Sequence, residues 1–409
     1  MQYTLLKNGL IVQPHRVLKG DLLIGNSRIM QIGAHLSDPN PETKIVDIQG
    51  KYILPGLIHY RSPFLKIQEN AQFSAIYIAL SHGGTFLMDV LKISKTTGFK
   101  ESIEEARMTS QPIITDFSLH LDASSANKLS DKALNHCFIK EGATSFTLKW
   151  KHIHQLIEGK MKHLLNFIAS NQLLLICESG TIKDSSLIGH PKFFASYLKQ
   201  LSQAIEILRG EGTQVLITDI VSKEELDLIF GDYTSFNDNI YAAINLADTS
   251  IQIPEALTKE QLLTFGTHPN ILLDPPILQS PSKGHQFIEN KTMYSFLQNI
   301  VGGKAVTQKS LITLCNMYAT RPAKLLGAYP QKGTLEPGAD ADLIIWSPVK
   351  SSSGLKPGAN TSLLRTDIKG IITNGRFITE DDLIISDQLN GRYIYRNQTF
   401  EGPAPLITR

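Results

Sequence analysis

The chain has 409 residues, 42% of them hydrophobic and 19% charged, so it is long enough for one large domain with a smaller companion, or for two or three mid-sized domains. Its 40 basic and 38 acidic residues leave a formal charge of +2 with no block of one sign, which excludes an extended nucleic-acid or anionic-membrane footprint. Cys137, Cys177 and Cys315 form no CxxC pair, the opening MQYTLLKNGLIVQPHR lacks the regions of a leader, and no apolar run reaches the roughly 20 residues of a bilayer span. A soluble, cytoplasmic protein is the expectation.

Both ends of the chain read as β-structure. In YTLLKNGLIVQ two short apolar runs flank Asn8-Gly9, whose tolerance of positive φ predicts a hairpin turn. DLLIGNSRIMQIG carries a second turn at Gly25-Asn26-Ser27. A strand at ILPGLIHY is entered through Pro55-Gly56, and further candidate strands span residues 84–91, 112–119, 144–150, 172–179, 213–220 and 239–246. Helix-like stretches such as HQLIEGKMKHLLNFIAS and YLKQLSQAIEILRG separate them, with apolar residues every three or four positions. Continuous apolar strands alternating with helices indicate parallel strands buried on both faces, hence α/β. About seven such units point to a (β/α)8 TIM-type barrel rather than a doubly wound sheet. Near the far end, ADLIIWSP supplies a strand and IKGIITNGRFIT a hairpin around Asn374-Gly375. The likeness of LLKNGLIV to IITNGRFI favours one small sheet module shared by both termini. The expected division is residues 1–54 and 331–409 for that module and 55–330 for the barrel.

Barrel chemistry sits at the carboxyl ends of strands, where Arg61, Lys149, Glu178 and Asp219 fall. Lys149 and Asp219 are the candidate catalytic residues. A lysine at a barrel mouth can be a desolvated base, although a salt bridge to Asp219 or Glu178 is the commoner outcome. His152 and His154 have ligand spacing but lie in the loop after Lys149-Trp150-Lys151 without acidic partners, the setting of solvated polar residues. His59 reads as a hydrogen-bonded histidine at the mouth, and Cys177 as a small packing residue. HGG at 82–84 invites an oxyanion-hole reading. The absence of Walker, GxGxxG and GxSxG patterns removes nucleotide-phosphate and serine-hydrolase readings.

The stretch YATRPAKLLGAYPQKGTLEPGADADLIIWSP (318–348) resembles the matching part of cyclic amidohydrolases: dihydroorotases, hydantoinases and allantoinases. ILPGLI (53–58), ALSHGGTFLMDV (79–90) and LLDPPILQSP (272–281) extend the likeness along the chain, with dihydroorotase-like proteins the best fit. The resemblance implies a TIM barrel plus a small β-sandwich built from both termini, and a homo-oligomer. Against the oxyanion-hole reading of HGG, it implies a tight helix-to-strand turn at 82–84. It also implies binuclear zinc, held by histidines, a carbamylated lysine and an aspartate, that polarises a ring amide and activates a water.

Position by position, those ligands are replaced here. The first two histidines correspond to Arg61 and Pro63, the lysine to Thr147 with Lys149 two residues on, and the third and fourth histidines to Ile176 and Asp219. Guanidinium repels a cation, and proline has no donor atom to offer. The aspartate strand expected after Pro275-Pro276 has no counterpart, so the eighth barrel strand is either rebuilt or missing. The substrate-clamping arginine and asparagine correspond to Leu65 and Asp274. The expectation is a dihydroorotase-like barrel with no metal and no cofactor, non-catalytic, whose pocket is lined by Arg61, Lys149, Glu178, Asp219 and Asp274. Its partner would be a small-molecule ligand or, as the resemblance implies, an aspartate transcarbamoylase-like enzyme of pyrimidine biosynthesis. Two alternatives remain: a metal-free acid/base enzyme built on Lys149, Glu178, Asp219 and Asp274, and a cyclic-amide hydrolase with ligands relocated to His59, His152 and His154.

Overall fold

The computed structural model describes residues 2–62, 64–65, 80, 83–93, 98–110, 114–179, 191–231, 239–245, 265–275, 306–347, 368–380, 383–384 and 391–396. The chain opens with β1 (Tyr3–Val12), β2 (Val17–Gly25), β3 (Arg28–Gly33), β4 (Lys44–Asp47) and β5 (Tyr52–Pro55). Next come β6 (Leu57–His59), β7 (Gly84–Leu91), β8 (Asp116–Asp122), β9 (Ser145–Lys149), β10 (Leu174–Glu178), β11 (Gln214–Ile220), β12 (Ile240–Ile244) and β13 (Ile271–Leu273). Last are β14 (Leu343–Trp346), β15 (Ile368–Thr373), β16 (Arg376–Glu380) and β17 (Leu383–Ile384).

The first and last groups form one mixed sheet in the order β17-β16-β15-β14-β5-β1-β2-β3, with β4 beside β1. Antiparallel pairing of β5 with β14, Leu54 opposite Ile344, joins the two ends of the chain. Leu6, Ile11, Leu22, Ile53, Leu343 and Ile372 make its core. Asn374 and Gly375 both take positive φ, 50° and 76°, and turn β15 into β16 as expected. Asn8-Gly9 does not make a hairpin. Asn8 has φ 59°, yet β1 runs on past it, and the register against β2 slips between Leu6 and Gly9. The dipeptide is a β-bulge in one long strand. Gly9 is needed for a different reason: a Cβ there would meet Ile53 Cδ1 at 2.6 Å.

The middle group forms an eight-stranded parallel sheet in sequence order from β6 to β13, curled into a TIM-type barrel. Strand alternation gives it two apolar faces. Ile58, Phe86, Met88, Leu174, Ile176 and Leu216 pack inside the barrel. Leu87, Phe146, Leu175, Cys177, Val215 and Ile217 pack outwards, among them Cys177 with its thiol pushed up to about 12 by burial. The outer layer includes α1 (Gly98–Ser110), α2 (Asp131–Ile139), α3 (Ile153–Ile157), α4 (Lys162–Ser170), α5 (Pro191–Gly210), α6 (Lys223–Phe230) and α7 (Gln308–Cys315). HQLIEGKMKHLLNFIAS is therefore two helices, parted where Gly159 takes φ 72°. No described helix is long and apolar enough to cross a membrane. An eighth described strand, ILL immediately before Asp274, pairs with β12 through Ala242–Ile271, whereas the segment from Pro276 on, where the eighth strand was expected, lies outside the described residues.

The part of the 318–348 signature at residues 332–342 folds into a buried ionic cluster at the amino end of β8. The Lys332 ammonium sits among Asp116, Asp340 and Asp342. Arg392 adds contacts of 2.7 Å to Asp116 and 2.6 Å to Asp340, and Asn374 Nδ2 donates to Asp116 at 2.8 Å. The signature thus ties the terminal sheet to the barrel floor. Residues 391–396 continue the tie: the Phe117 N–H donates to the Arg392 carbonyl and the Ile394 N–H to the Phe117 carbonyl. Ile394 is buried with the barrel's interior residues.

Candidate functional site

The opposite end of the barrel, at the carboxyl ends of the strands, gathers the polar groups. β6 reaches it through Pro55-Gly56, where the chain presses against β7 so closely that a Cβ on Gly56 would lie 1.9 Å from Thr85 Oγ1. Tyr60 and Arg61 leave the end of that strand. The Arg61 guanidinium grips Asp219 with both prongs, Nη1 to Oδ2 at 2.6 Å and Nη2 to Oδ1 at 3.0 Å. Nη2 also lies 3.1 Å from Asp274 Oδ1, and Nη1 donates to Thr218 Oγ1 at 3.1 Å. The Arg61 and Asp219 side chains are only 7% and 2% exposed, so the fork closes a buried ion pair.

Asp219 is presented by an unusual backbone. Its φ of 62° is left-handed, within a strand whose register against β12 shifts between Ile217 and Ile220. Asparagine and aspartate tolerate this region better than most residues. The conformation is held by its own N–H donating to Asp274 Oδ2 at 2.5 Å and by Ser179 Oγ, 3.4 Å from its carbonyl oxygen. Asn245 Nδ2 donates to Asp219 Oδ1 at 3.4 Å. Behind it, Tyr197 Oη donates to Glu225 Oε1 at 2.7 Å, while Glu225 Oε2 accepts from the N–H groups of Val221 and Ser222. That carboxylate fixes the turn leaving β11.

Asp274 accepts two hydrogen bonds, from the Asp219 N–H and from Tyr60 Oη at 2.8 Å, and lies in ion-pair contact with Arg61. Burial pushes its carboxyl up to about 7, against the downward pull of Arg61. Arg61 is held above its ordinary value, because the carboxylates more than reverse the effect of burial. It is a permanent cation. Tyr60 is likewise pushed up by burial, and then by Asp274. His120, also inside, places Nε2 2.8 Å from the Tyr60 carbonyl and Nδ1 2.5 Å from Ser145 Oγ. A carbonyl only accepts, so Nε2 carries the proton and Nδ1 takes the serine's. Burial lowers its pKa to about 4, leaving a neutral ring.

Lys149 and Glu178 lie side by side in register on β9 and β10, with Thr218 next on β11. Glu178 is buried and Lys149 half-buried. The five expected pocket residues therefore share one end of the barrel, and three of them, Arg61, Asp219 and Asp274, are in direct contact. His59 is buried, but alternation with Ile58 and Tyr60 puts it on the strand's other face. His152 is half-buried, with Gln155 Nε2 3.4 Å from Nδ1, and His154 is exposed. Among the described residues, the one group of three ligand-type side chains close enough to share an ion is Asp116, Asp340 and Asp342, where Lys332 sits. Leu65 donates its N–H to Asp89 Oδ2 at 2.6 Å. Pro63 and His82 lie outside the described residues.

Tyr60 and His120 were not foreseen. DFSLHLD carries the histidine's signal: Asp116, Ser118, His120 and Asp122 alternate with Phe117, Leu119 and Leu121, which places a polar row inside the barrel. The expected strand stopped at residue 119, one short of the histidine. Chemically, the mouth is a closed ion triad with one carboxyl, Asp274, able to exchange a proton near neutrality.

Comparison with known proteins agrees with this architecture. A D-hydantoinase of Geobacillus stearothermophilus is 24% identical over 464 residues, covering 96% of each chain. A dihydroorotase of Lactobacillus leichmannii is 24% identical over 428 residues, covering 90% of this chain and 95% of its own. The solved D-hydantoinase of a Bacillus species superposes with a TM-score of 0.76 over 98% of this chain and 100% of its own, at 17% identity. The profile of the amidohydrolase family matches residues 92–378, more than half of the chain. The chain belongs to the amidohydrolase family.

Proposed function

We propose that this amidohydrolase-family protein is a dihydroorotase-like barrel that holds no binuclear zinc and does not hydrolyse cyclic amides. The observation that carries the reading is the Arg61 guanidinium lodged between Asp219 and Asp274. Zinc sites need several neutral or anionic donors converging on one point. Here the two nearest anions already share a fixed cation. A divalent ion placed beside them would face that cation's repulsion or have to expel it from a buried, two-pronged bond. His120, the imidazole on this inner face, spends both nitrogens on Tyr60 and Ser145. Among the described residues, the donors at the mouth do not fit the metal.

In this reading the mouth binds a small molecule, or the barrel serves as a structural partner of a pyrimidine-pathway enzyme such as an aspartate transcarbamoylase. The relative named dihydroorotase and the signature at 332–342, here a structural lock, support retention of the fold apart from the chemistry. The test is ring opening of dihydroorotate and of hydantoin by protein pre-incubated with zinc, manganese or cobalt. No turnover above a denatured control is expected. Metal-dependent turnover overturns the reading.

A second reading rests on Asp274. A buried carboxyl with a pKa of about 7, bonded to Tyr60, is poised for acid/base work without metal. Under it, Asp274→Asn abolishes any activity found by substrate screening. Survival of that activity removes it.

A further inference from the structure

The described barrel strands form an open path, with β6 at one end and β13 at the other and no ladder between them. A barrel left unpaired at one seam exposes backbone donors and acceptors and loses its circular constraint. Among the described residues, side chains span this seam. Just past β6, Tyr60 hydrogen-bonds to Asp274, just past β13, at 2.8 Å, and Arg61 makes an ion pair with it at 3.1 Å. The same guanidinium reaches Asp219 on β11, and Asp274 in turn accepts the Asp219 N–H. Below this triad, Arg321 donates from Nη1 to the Ile271 carbonyl at 2.6 Å and from Nη2 to the Gly266 carbonyl at 3.3 Å.

We infer that Asp219, Asp274 and Thr218 form a guanidinium-binding site, filled in cis by Arg61, that closes the barrel between β6 and β13. The site has the marks of selective recognition. Two oxygens of Asp219 meet the two prongs of a planar fork, a geometry that ammonium cannot copy. Thr218 Oγ1 accepts a further hydrogen bond from one prong, and Asp274 Oδ1 lies in ion-pair contact, 3.1 Å from the other. The left-handed turn at Asp219 aims its carboxylate at the fork, and such strain persists where surrounding bonds hold it. The role is independent of whether the mouth catalyses anything, so it stands or falls apart from the hydrolysis assays.

The test is chemical rescue. Arg61→Ala is expected to melt about 5 °C below the wild type, since it leaves buried carboxylates without their cation. Millimolar guanidinium chloride should raise its melting temperature in a concentration-dependent way, as binding to the native state requires. Sodium chloride at equal ionic strength and the neutral isostere urea should not, and the wild type should not respond. Should Arg61→Ala fail to accumulate folded, the pair Arg61→Met with Asp219→Asn, which removes both charges, is expected to fold and to ignore guanidinium. The inference is overturned if Arg61→Ala melts like the wild type. It is also overturned if guanidinium does no more than salt, or if the double variant responds to guanidinium.

Discussion

Arg61 and Asp219 meet fork to fork, at 2.6 Å and 3.0 Å, although they lie 158 residues apart in the chain and Asp219 must adopt a left-handed backbone to make the contact. The two features separate by mutation. Asp219→Asn keeps a side chain that tolerates positive φ but breaks the buried pair, and should lower stability by about 3 kcal/mol. Asp219→Ala should cost about 1 kcal/mol more, because alanine lacks that local tolerance. Urea unfolding of both variants checks this, and equal losses would show that the backbone conformation carries no cost.

Lys332 is the anchor of the barrel floor. Lys332→Met leaves Asp116, Asp340 and Asp342 facing one another with only the half-exposed Arg392 for compensation. Removing one partner from a buried ionic cluster costs about 3–5 kcal/mol. The unfolding free energy from urea titration should fall by that amount, through a lower midpoint with little change in slope. The deficit should shrink in acid, where protonating one carboxyl relieves the repulsion.

His120 gives the protein a pH signature. Its folded-state pKa of about 4 lies below the ordinary 6.5, so its contribution to stability is complete above 6.5 and is lost as pH falls through 4. Asp274 has the opposite sign. Its pKa is raised from 3.8 to about 7, so what it contributes is present below 3.8 and disappears as pH rises through 7. Stability curves of wild type and His120→Gln between pH 4.5 and 7.5 isolate the histidine. Their difference should narrow on acidification below 6.5, by up to about 1 kcal/mol per pH unit. A constant difference would mean that His120 titrates normally.

Gly56→Ala should be damaging although it adds one methyl group. Its Cβ would fall 1.9 Å from Thr85 Oγ1 and 2.7 Å from Thr85 Cβ. Overpacking of this kind costs about 1–3 kcal/mol or more. Adding Thr85→Ala removes the nearer atom but not the Cβ, so thermal melting should show only partial recovery.

Much of this was legible in the amino-acid order. Asn374-Gly375 turns a hairpin because both residues take positive φ and nothing else competes. The same dipeptide at Asn8-Gly9 does not turn. There the strand continues because β2 pairs on both sides of the slip and the Asn8 N–H finds Asp21 Oδ1 at 2.9 Å, a tertiary partner invisible to a local window. At the mouth, strand ends located Arg61, Lys149, Glu178 and Asp219, and the family resemblance added Asp274. Which of them pair depends on the bulge at Asp219, and no local pattern announces a left-handed residue inside an apolar strand. His120 could have been found from the polar period of DFSLHLD. The contact of Arg61 with Asp274 could not, since it crosses a seam between the first and last barrel strands.

The zinc content of wild-type protein, incubated with excess zinc and then freed of unbound ion by gel filtration, bears most directly on the proposed loss of metal chemistry. With Arg61 already paired to Asp219 and Asp274, the ion should be recovered at far below one equivalent per chain, and Arg61→Ala should be the variant that retains more. Two tightly held equivalents in the wild type would contradict it.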